Sequence, residues 1–452
     1  MIGVIEALTP EALAGATRAW MTAARWFTGD PDAPVEFGPS ALLAKGQART
    51  EIFLVRCGKL TFSVPLTFRA QGGAIGVFDA TDDADGQAAL LGAIYAGQLA
   101  DHAKGDAGAT AANGAADLRL EARPIRSAAP VASAAKLTSE QSNTSIVYRF
   151  AEPEEAGSAG IILKVFRVLS DGANPDVELL SALDASGSRA VPRQYGSVRG
   201  TWGTPSGPAG TDMLVAQEFL VGATDAWQVI QGQLARTTSF TQKAEIEALG
   251  ALTRDIHRQL AAAFPTVEAT AAMRTQIVSQ WRERAAAALT HAPALLPYHD
   301  QIEAAFSGAL KVGWPALQRI HGDYHLGQVL RAPGRGWVAL DFEGEPLRPL
   351  AERVQPDLAL RDVAGILRSF DYAGGSAELA GGDRHELGRW TRRAQEAFMS
   401  GYGHIGGSER RLLDALILDK ALYEVSYEAA SRPAWLEIPV RGVLRLIAGQ
   451  NG

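Results

Sequence analysis

The segment from Arg319 to Pro346 constrains this chain most strongly; it reads RIHGDYHLGQVLRAPGRGWVALDFEGEP. It places Asp323 in an HGD triplet, Gln328 five residues later, and Asp341 directly after the apolar run 337–340. Phosphoryl transfer from ATP needs an acceptor for the substrate hydroxyl proton and oxygen ligands that hold Mg²⁺ on the phosphates. Two carboxylates and an amide at this spacing meet that need, whereas the alternative is a buried structural hydrogen-bonding cluster. The spacing predicts a kinase that uses ATP and Mg²⁺.

Length and charge narrow the possible classes of protein. The 452 residues are enough for about two or three domains and a sizeable core. A net charge of −7 argues against nucleic acid or an anionic membrane as a partner. The only cysteine, Cys57, excludes an intrachain disulfide and is predicted to be a small buried hydrophobe. Neither a membrane-length apolar run nor a signal-peptide pattern after Met1 is present, so we predict a cytoplasmic protein.

Local patterns predict an α+β protein with a β-rich first part and a mostly helical second part. Helical spacing covers 11–26, and most of the chain from Phe240 onward. Strands are predicted by the following apolar stretches: 50–56 and 60–68, with a turn at Gly58-Lys59, and the pair 145–150 and 160–166. The Ala- and Gly-rich stretch 100–135 is predicted to be largely a surface loop. One catalytic hairpin within a helical second half is the layout of a bilobal kinase.

A kinase of this layout needs a phosphate clamp on its early strands. Lys164 lies in the apolar strand 160–166, and the segment Asn174-Pro175 reads as the N-cap and first residue of the next helix. Glu178 then falls in the first turn, where it could pair with Lys164 and orient its ammonium group toward the α- and β-phosphates. An edge-strand lysine and a capping glutamate are the alternative.

Two further segments are candidates for nucleotide contacts. A polar segment precedes the strand that begins near residue 145, and its short side chains and N–H groups could cap phosphates, although an ordinary polar turn is equally consistent. An apolar strand turns polar near residue 217 and could present backbone groups to adenine as a hinge. The candidate residues are Ser142, Asn143 and Thr144 for the phosphates and Gln217, Glu218 and Phe219 for adenine.

These segments together carry a family resemblance. QSNTS, ILKVFR, NPDVEL, QEFL, HGDYHLGQVL, DFEGEP and YEVSYEAASRPAWL follow one another between Leu137 and Pro439. They resemble the maltokinases and the actinobacterial glucosamine kinases of the aminoglycoside-phosphotransferase-like, protein-kinase-like superfamily. The stretch 25–29 is followed by Asp30 instead of the basic segment that maltokinases carry, which favours glucosamine over maltose as the acceptor.

The resemblance implies a bilobal protein-kinase-like fold with an N-terminal cap subdomain. We therefore expect a cap at 1–135 that ends in the loop, the rest of the ATP-binding N-lobe at 136–222, and a helical C-lobe at 223–452. It also implies Asp323 as the catalytic base and Gln328 and Asp341 as Mg²⁺ ligands.

The sugar site is expected near the C-terminus. Residues 412–430 have helical spacing that sets Tyr423 beside Tyr427 and Glu424 beside Glu428. With Trp435 in the following loop, these groups could offer carboxylates to sugar hydroxyls and an indole face to the ring. The alternative is a solvated acidic face with a tryptophan that anchors the tail.

Three residues near the catalytic motif complete the set. His325 is expected to orient the catalytic loop or touch the acceptor, and Glu343 to reach the metals or the acceptor. Asp362 is expected to brace the loop. The predicted reaction is phosphorylation of a glucose-derived sugar, with glucosamine preferred and giving glucosamine 6-phosphate. Conversion of maltose to maltose 1-phosphate and a non-catalytic nucleotide- or sugar-binding pseudokinase are the alternatives.

Overall fold

The computed structural model describes residues 1–96, 98–99, 117–137, 142–154, 157–345 and 348–449. The chain forms two compact units, Met1–Ser181 with Pro192–Val221 and Ala182–Val191 with Gly222–Gly452. The first unit is rich in strands and the second in helices, as the predicted α+β class requires. The finer division at residues 135 and 222 stays a prediction.

Two antiparallel sheets build the first unit. One has the strand order β1-β5-β4-β3-β2, with β11 beside β4, and the other has the order β6-β7-β12-β13-β10-β9-β8. The elements are β1 (Gly3–Ile5), α1 (Pro10–Ala23), β2 (Val35–Lys45), β3 (Arg49–Cys57), β4 (Leu60–Gln71), β5 (Ala74–Asp79), α2 (Ala84–Ala93), β6 (Gln98–Leu99), β7 (Arg119–Pro124), β8 (Val131–Lys136), β9 (Asn143–Phe150), β10 (Gly160–Phe166), β11 (Val168–Leu169), α3 (Pro175–Ala185), β12 (Gln194–Thr204) and β13 (Gly207–Glu218).

The predicted helix and strand pairs of this unit are confirmed. Helix α1 starts at Pro10, with the Thr9 side chain accepting a hydrogen bond from the Ala12 N–H. Strands β3 and β4 form the predicted hairpin, and Gly58 in its turn has a φ of 59°, in the left-handed region that glycine adopts without strain. Strands β9 and β10 pair along their whole length.

The loop predicted for 100–135 is wrong in two stretches. Residues 119–124 form β7, which pairs with β12, and residues 131–136 form β8, which pairs with β9. The pattern hides both strands because they carry few large apolar residues, and pairing with longer neighbours decides their conformation. The part of the prediction at 100–116 lies outside the described residues.

The core of the first unit includes a buried arginine. Arg167 is wholly buried, and its Nε donates to Thr144 Oγ1 at 2.8 Å while one terminal nitrogen lies 3.6 Å from Asp79. Its guanidinium carbon lies 4.8 Å from the Trp26 ring centroid. A buried charge of this kind is tolerated only when it is paired, as the Arg167 guanidinium is with Asp79. Cys57 is buried in the same core, as predicted.

The second unit is a helical bundle with a small sheet. Its long helices α9 and α11 pack on each other, α6, α10 and α12 pack against them, and α5 packs on α10. The elements are β14 (Thr224–Asp225), α4 (Ala226–Leu234), α5 (Lys243–Ala263), α6 (Ala271–His291), α7 (His299–Leu310), β15 (Val329–Ala332), β16 (Gly336–Ala339), α8 (Leu350–Arg353), α9 (Leu360–Leu379), α10 (Arg384–Tyr402), α11 (Gly407–Ser431) and α12 (Glu437–Gly449). The predicted hairpin among helices is β15–β16. Within the described residues, no helix combines the length and apolar character that a bilayer crossing requires.

Candidate active site

The catalytic loop of the second unit is held from behind by helix α9. Asp362 on α9 accepts hydrogen bonds from the backbone N–H groups of His321 and Gly322, each at 2.9 Å, and His257 Nε2 lies 3.0 Å from it. Burial raises the pKa of the Asp362 carboxyl, but the His257 hydrogen bond and the neighbouring charges outweigh this and hold the pKa below its usual value. The expected bracing role of Asp362 is confirmed.

Helix α9 also touches the loop at a glycine. A Cβ atom on Gly365 would lie 2.2 Å from the carbonyl oxygen of Tyr324, which directly follows Asp323. Such a distance is impossible without movement of the backbone, so only glycine allows the helix to pack this closely. Two residues of α9 therefore position the catalytic loop: Asp362 through its carboxylate, and Gly365 because it has no side chain.

We expect Gly365→Ala to displace the catalytic loop. The added methyl group should lower the free energy of unfolding by about 1–3 kcal/mol through overpacking and should lower kcat as well. The matched control is Gly232→Ala in α4, where a Cβ meets no atom within 4 Å and where alanine favours the helix by about 1 kcal/mol. Urea unfolding and kcat of both variants test this, and a Gly365→Ala protein with wild-type stability and turnover would contradict the close packing.

A second histidine ties the loop to the hairpin. His321 Nε2 lies 2.8 Å from the carbonyl oxygen of Leu340, the residue before Asp341, which assigns the ring proton to Nε2. Its other nitrogen, Nδ1, then accepts from the Asp323 N–H at 3.4 Å. One imidazole thus connects the backbone at Asp323 with the strand end at Asp341. The HGD triplet was the signal for this role, which the sequence analysis did not assign.

The predicted Mg²⁺ ligands lie together. Asp341 has a φ of 61° and is the only described residue other than glycine with positive φ, a conformation that is uncommon outside glycine and that Asp tolerates better than most residues. Gln328 Nε2 donates to Asp341 Oδ2 at 3.0 Å. Carboxylate oxygens of Asp341 and Glu343 lie within 4.8 Å of each other. Carboxylate oxygens fit a hard cation such as Mg²⁺, and Asp341 and Gln328 stay the residues predicted to hold it.

Asp323 has a cationic neighbour that the sequence analysis missed. Lys420 Nζ on α11 lies 3.3 Å from Asp323 Oδ1 and 2.6 Å from Glu345 Oε1. Burial raises the pKa of Glu345, but the charge and hydrogen bond of Lys420, with the charges of Arg361 and Arg348, outweigh it and bring the pKa to about 2. His325 Nε2 lies 3.9 Å from Asp323 Oδ2, and its Nδ1 accepts from the Gly327 N–H at 3.1 Å. His325 therefore makes a structural bond within the loop.

In the first unit, the lysine predicted to clamp the phosphates has an aspartate partner. Lys164 Nζ donates to Asp176 Oδ2 at 2.9 Å, and the Asp176 N–H donates to Asn174 Oδ1 at 2.9 Å. Helix α3 begins at Pro175 as predicted, with Glu178 in its first turn. Asp176, two residues before Glu178, is thus an observed partner of Lys164 that the sequence analysis missed. The pairing of Lys164 with Glu178 stays a prediction.

We expect Lys164→Ala to raise the KM for ATP and to lower kcat, because the ammonium group that meets the phosphates is lost. Double-mutant cycles with Asp176→Ala and with Glu178→Ala should be non-additive, by roughly 0.5–3 kcal/mol in kcat/KM for ATP. Lys59→Ala, at the exposed hairpin turn, is the control and should leave ATP kinetics unchanged. Additive effects in both cycles would contradict the clamp.

Some of the other residues predicted to contact the nucleotide already make hydrogen bonds within the protein. Thr144 Oγ1 accepts from Arg167, so we assign Thr144 to the core and keep Ser142 and Asn143 as predicted phosphate contacts. The N–H groups of Glu218 and Phe219 donate to the carbonyl oxygens of Arg193 and Gly160. The Glu218 carboxylate also binds the Arg193 side chain at 2.9 Å. The adenine hinge at 217–219 stays a prediction, and these two N–H groups are not the ones it can use.

The predicted sugar-site carboxylates have arginine partners. Glu424 Oε2 accepts from Arg368 Nε and a terminal nitrogen at 2.9 and 2.7 Å. Glu428 is 1% exposed and accepts from Arg432 and, at 3.1 Å, from the Tyr372 hydroxyl. The alternative of a solvated acidic face is therefore wrong, because both carboxylates are largely buried and paired.

Aromatic residues surround these glutamates. The Trp435 ring stacks on Tyr372, with centroids 6.3 Å apart, and Arg432 lies 4.6 Å from the Trp435 centroid. Tyr423 and Tyr427 stack on each other along α11 at 6.5 Å. The contacts of Tyr423 and Trp435 with a sugar stay predictions.

Comparison with known proteins identifies the family of this chain. The model of the phosphotransferase enzyme family matches residues 138–398. A glucosamine kinase of Mycolicibacterium smegmatis is 30% identical over 324 residues, which are 67% of this chain and 77% of the relative. A glucosamine kinase of Streptacidiphilus jiangxiensis is 26% identical over 437 residues, which are 89% and 94% of the two chains.

Solved structures show the same fold. A glucosamine kinase in complex with glucosamine, ADP and inorganic phosphate superposes with a TM-score of 0.69 at 22% identity, over 97% of this chain and 98% of that one. A glucosamine kinase in another crystal form gives a TM-score of 0.72 at 21% identity. The protein-kinase-like fold and the phosphotransferase class predicted from the sequence are confirmed: this chain belongs to the phosphotransferase enzyme family.

Proposed function

We propose that this enzyme transfers the γ-phosphoryl group of ATP to the 6-hydroxyl of glucosamine, with Mg²⁺, and forms glucosamine 6-phosphate. The observation that carries the acceptor is the 30% identity to a glucosamine kinase over 77% of that protein. The binding of glucosamine and ADP by a protein of the same fold supports both ligands.

The chemistry follows from the residues of the catalytic loop. Asp323 accepts the proton of the sugar hydroxyl, and the loop that carries it is fixed by Asp362, His321 and Gly365. Phosphoryl transfer has a largely dissociative transition state, so positioning and neutralisation of charge matter more than the strength of the base. Mg²⁺, when bound, would neutralise phosphate charge.

Kinetics over a panel of acceptors test the proposal. We expect the highest kcat/KM on glucosamine among glucose, glucosamine, N-acetylglucosamine, maltose and aminoglycosides, and phosphorus-coupled NMR of the product should locate the phosphate on O6. Activity on maltose with none on glucosamine would contradict the proposal and favour the maltokinase alternative.

The two sugar-site glutamates provide a sharper test of amino-sugar recognition. Among the described contacts, both oxygens of Glu428 accept hydrogen bonds, whereas those to Glu424 reach Oε2 alone. If the substrate ammonium binds here, Oε1 of Glu424 is the atom left for it. We expect Glu424→Gln to cost glucosamine about 1.5–3 kcal/mol more than glucose in kcat/KM, the value of a charge-assisted hydrogen bond.

The control for this prediction is Glu428→Gln, which should affect both sugars alike. Equal losses on glucosamine and glucose in Glu424→Gln would remove Glu424 as the ammonium partner. The identity of the acceptor would then rest only on the kinetics over the panel of acceptors.

A further inference from the structure

Lys420 is a largely buried lysine with no role in the assignments above. It lies on α11, three residues before Tyr423 and four before Glu424, so that one helix face carries all three side chains. Its ammonium nitrogen contacts Glu345 at 2.6 Å and Asp323 at 3.3 Å and lies 5.0 Å from the Tyr423 ring centroid. Its side chain is 18% exposed, against 21% for Asp323 and 10% for Glu345.

The Lys420 ammonium group is held between the carboxylates of Glu345 and Asp323. Burial lowers the pKa of Lys420, but the Glu345 and Asp323 carboxylates outweigh this and raise the pKa above its usual value. The shorter contact is to Glu345, so Glu345 anchors the ammonium group and Lys420 presents its remaining N–H donors to Asp323. A stabilising ion pair alone would not need to include the catalytic carboxylate.

The two carboxylate oxygens of Asp323 therefore have different neighbours. Oδ1 faces Lys420, whereas Oδ2 lies 3.9 Å from His325 Nε2, beyond hydrogen-bond distance. Among the described residues, the titratable groups that face Asp323 are the Lys420 ammonium from α11 and the imidazoles of His325 and His321 from its own loop.

We propose that Lys420, anchored by Glu345, is a positioning residue of the phosphoryl transfer: it holds Oδ1 of Asp323 so that Oδ2 accepts the hydroxyl proton. The inference rests on the proposed kinase function. In the step, the acceptor oxygen forms a bond to the γ-phosphorus and the bond from that phosphorus to the β,γ-bridging oxygen breaks. ADP leaves with the bond's electron pair, and the hydroxyl proton moves to Asp323 Oδ2.

The first test is Lys420→Met, which keeps the length of the side chain and removes the charge. We expect kcat to fall about 10- to 100-fold, with the KM for ATP changed less than about 2-fold, because misplacement of a reacting group acts on the chemical step. Glu345→Gln should show part of the same loss. Lys311→Met, at an exposed position after α7, is the control and should leave kcat unchanged.

Chemical rescue separates the ammonium group from a structural role. Lys420→Cys treated with 2-bromoethylamine gains a lysine-like side chain, because the thiolate displaces bromide. The single native cysteine, Cys57, is 1% exposed and should not react. We expect aminoethylation to restore at least about a tenth of wild-type kcat, and alkylation by iodoacetamide, which adds a neutral amide, to restore none.

The readouts distinguish this inference from the proposed function. Each protein is assayed for ADP release with the best acceptor of the panel and for slow ATP hydrolysis without sugar. A wild-type enzyme inactive on all sugars would contradict the proposed function. The rate of ATP hydrolysis without sugar would then still test the role of Lys420. Unchanged kcat in folded Lys420→Met, or equal rescue by both reagents, would overturn the positioning role.

Discussion

Asp323→Asn is expected to turn over about 10²-fold more slowly than wild type or worse, with little change in the KM for ATP. Asparagine keeps the shape of the side chain and an oxygen that can accept from Lys420, which contacts Oδ1 at 3.3 Å. It removes the group that takes the hydroxyl proton. Because the transition state is largely dissociative, the loss should be limited compared with reactions that depend on a strong base.

The measurement is kcat and KM with glucosamine and ATP varied separately. Asp300→Asn is the matched control, since the Asp300 side chain in α7 of the same unit is fully exposed and a surface substitution should change stability by less than about 0.5 kcal/mol. Circular dichroism should show both variants folded. Near-normal turnover in folded Asp323→Asn would overturn the assignment of the base.

Features that depend on local sequence were predictable. The catalytic hairpin could be predicted because a short turn, two apolar strands and the polar residues that flank them lie within one segment, 319–346. The start of α3 was readable because Asn174 and Pro175 are helix-start residues whatever the tertiary structure is. The bracing role of Asp362 was also predicted, and the structure places this residue in the first turn of α9.

Features that depend on contacts distant in sequence were missed. Lys420 lies 97 residues from Asp323, and the Arg368 partner of Glu424 lies 56 residues away. No local pattern pairs such residues, because the packing of α9, α11 and the catalytic loop brings them together. The spacing of Lys420 before Tyr423 and Glu424 was a usable signal, since it places Lys420 on the predicted sugar-facing side of α11.

The strands β7 and β8 were missed for a related reason. Their sequences, RLEARP and VASAAK, contain few of the large apolar residues that mark a buried strand. Both gain their conformation from pairing with β12 and β9. Strand propensity measures how a side chain fits its neighbours on a sheet, so a sequence without those neighbours in view underestimates such strands.

Asp341→Ala is expected to lower Mg²⁺-dependent turnover by roughly 10³-fold or more, because a bound cation supplies several kcal/mol of charge stabilisation to the transferring phosphoryl group. Gln328→Ala should be milder, since a neutral amide contributes less to a cation than a carboxylate does. The test is kcat as a function of free Mg²⁺, with EDTA-treated protein as the baseline. Wild-type Mg²⁺ dependence in Asp341→Ala would show that the metal ligands lie elsewhere.

A second variant is needed because alanine at position 341 would change the backbone strain as well as remove the carboxylate. Its φ of 61° is tolerated by Asp and Asn but is strained for alanine, at a cost of about 1–3 kcal/mol. Asp341→Asn keeps the left-handed conformation and one oxygen and removes only the charge. If the charge holds the metal, Asp341→Asn should lose most of the turnover while it unfolds at the wild-type urea concentration. If Asp341→Ala is inactive and unstable while Asp341→Asn is active and stable, the residue shapes the turn after β16 and the Mg²⁺ assignment is wrong.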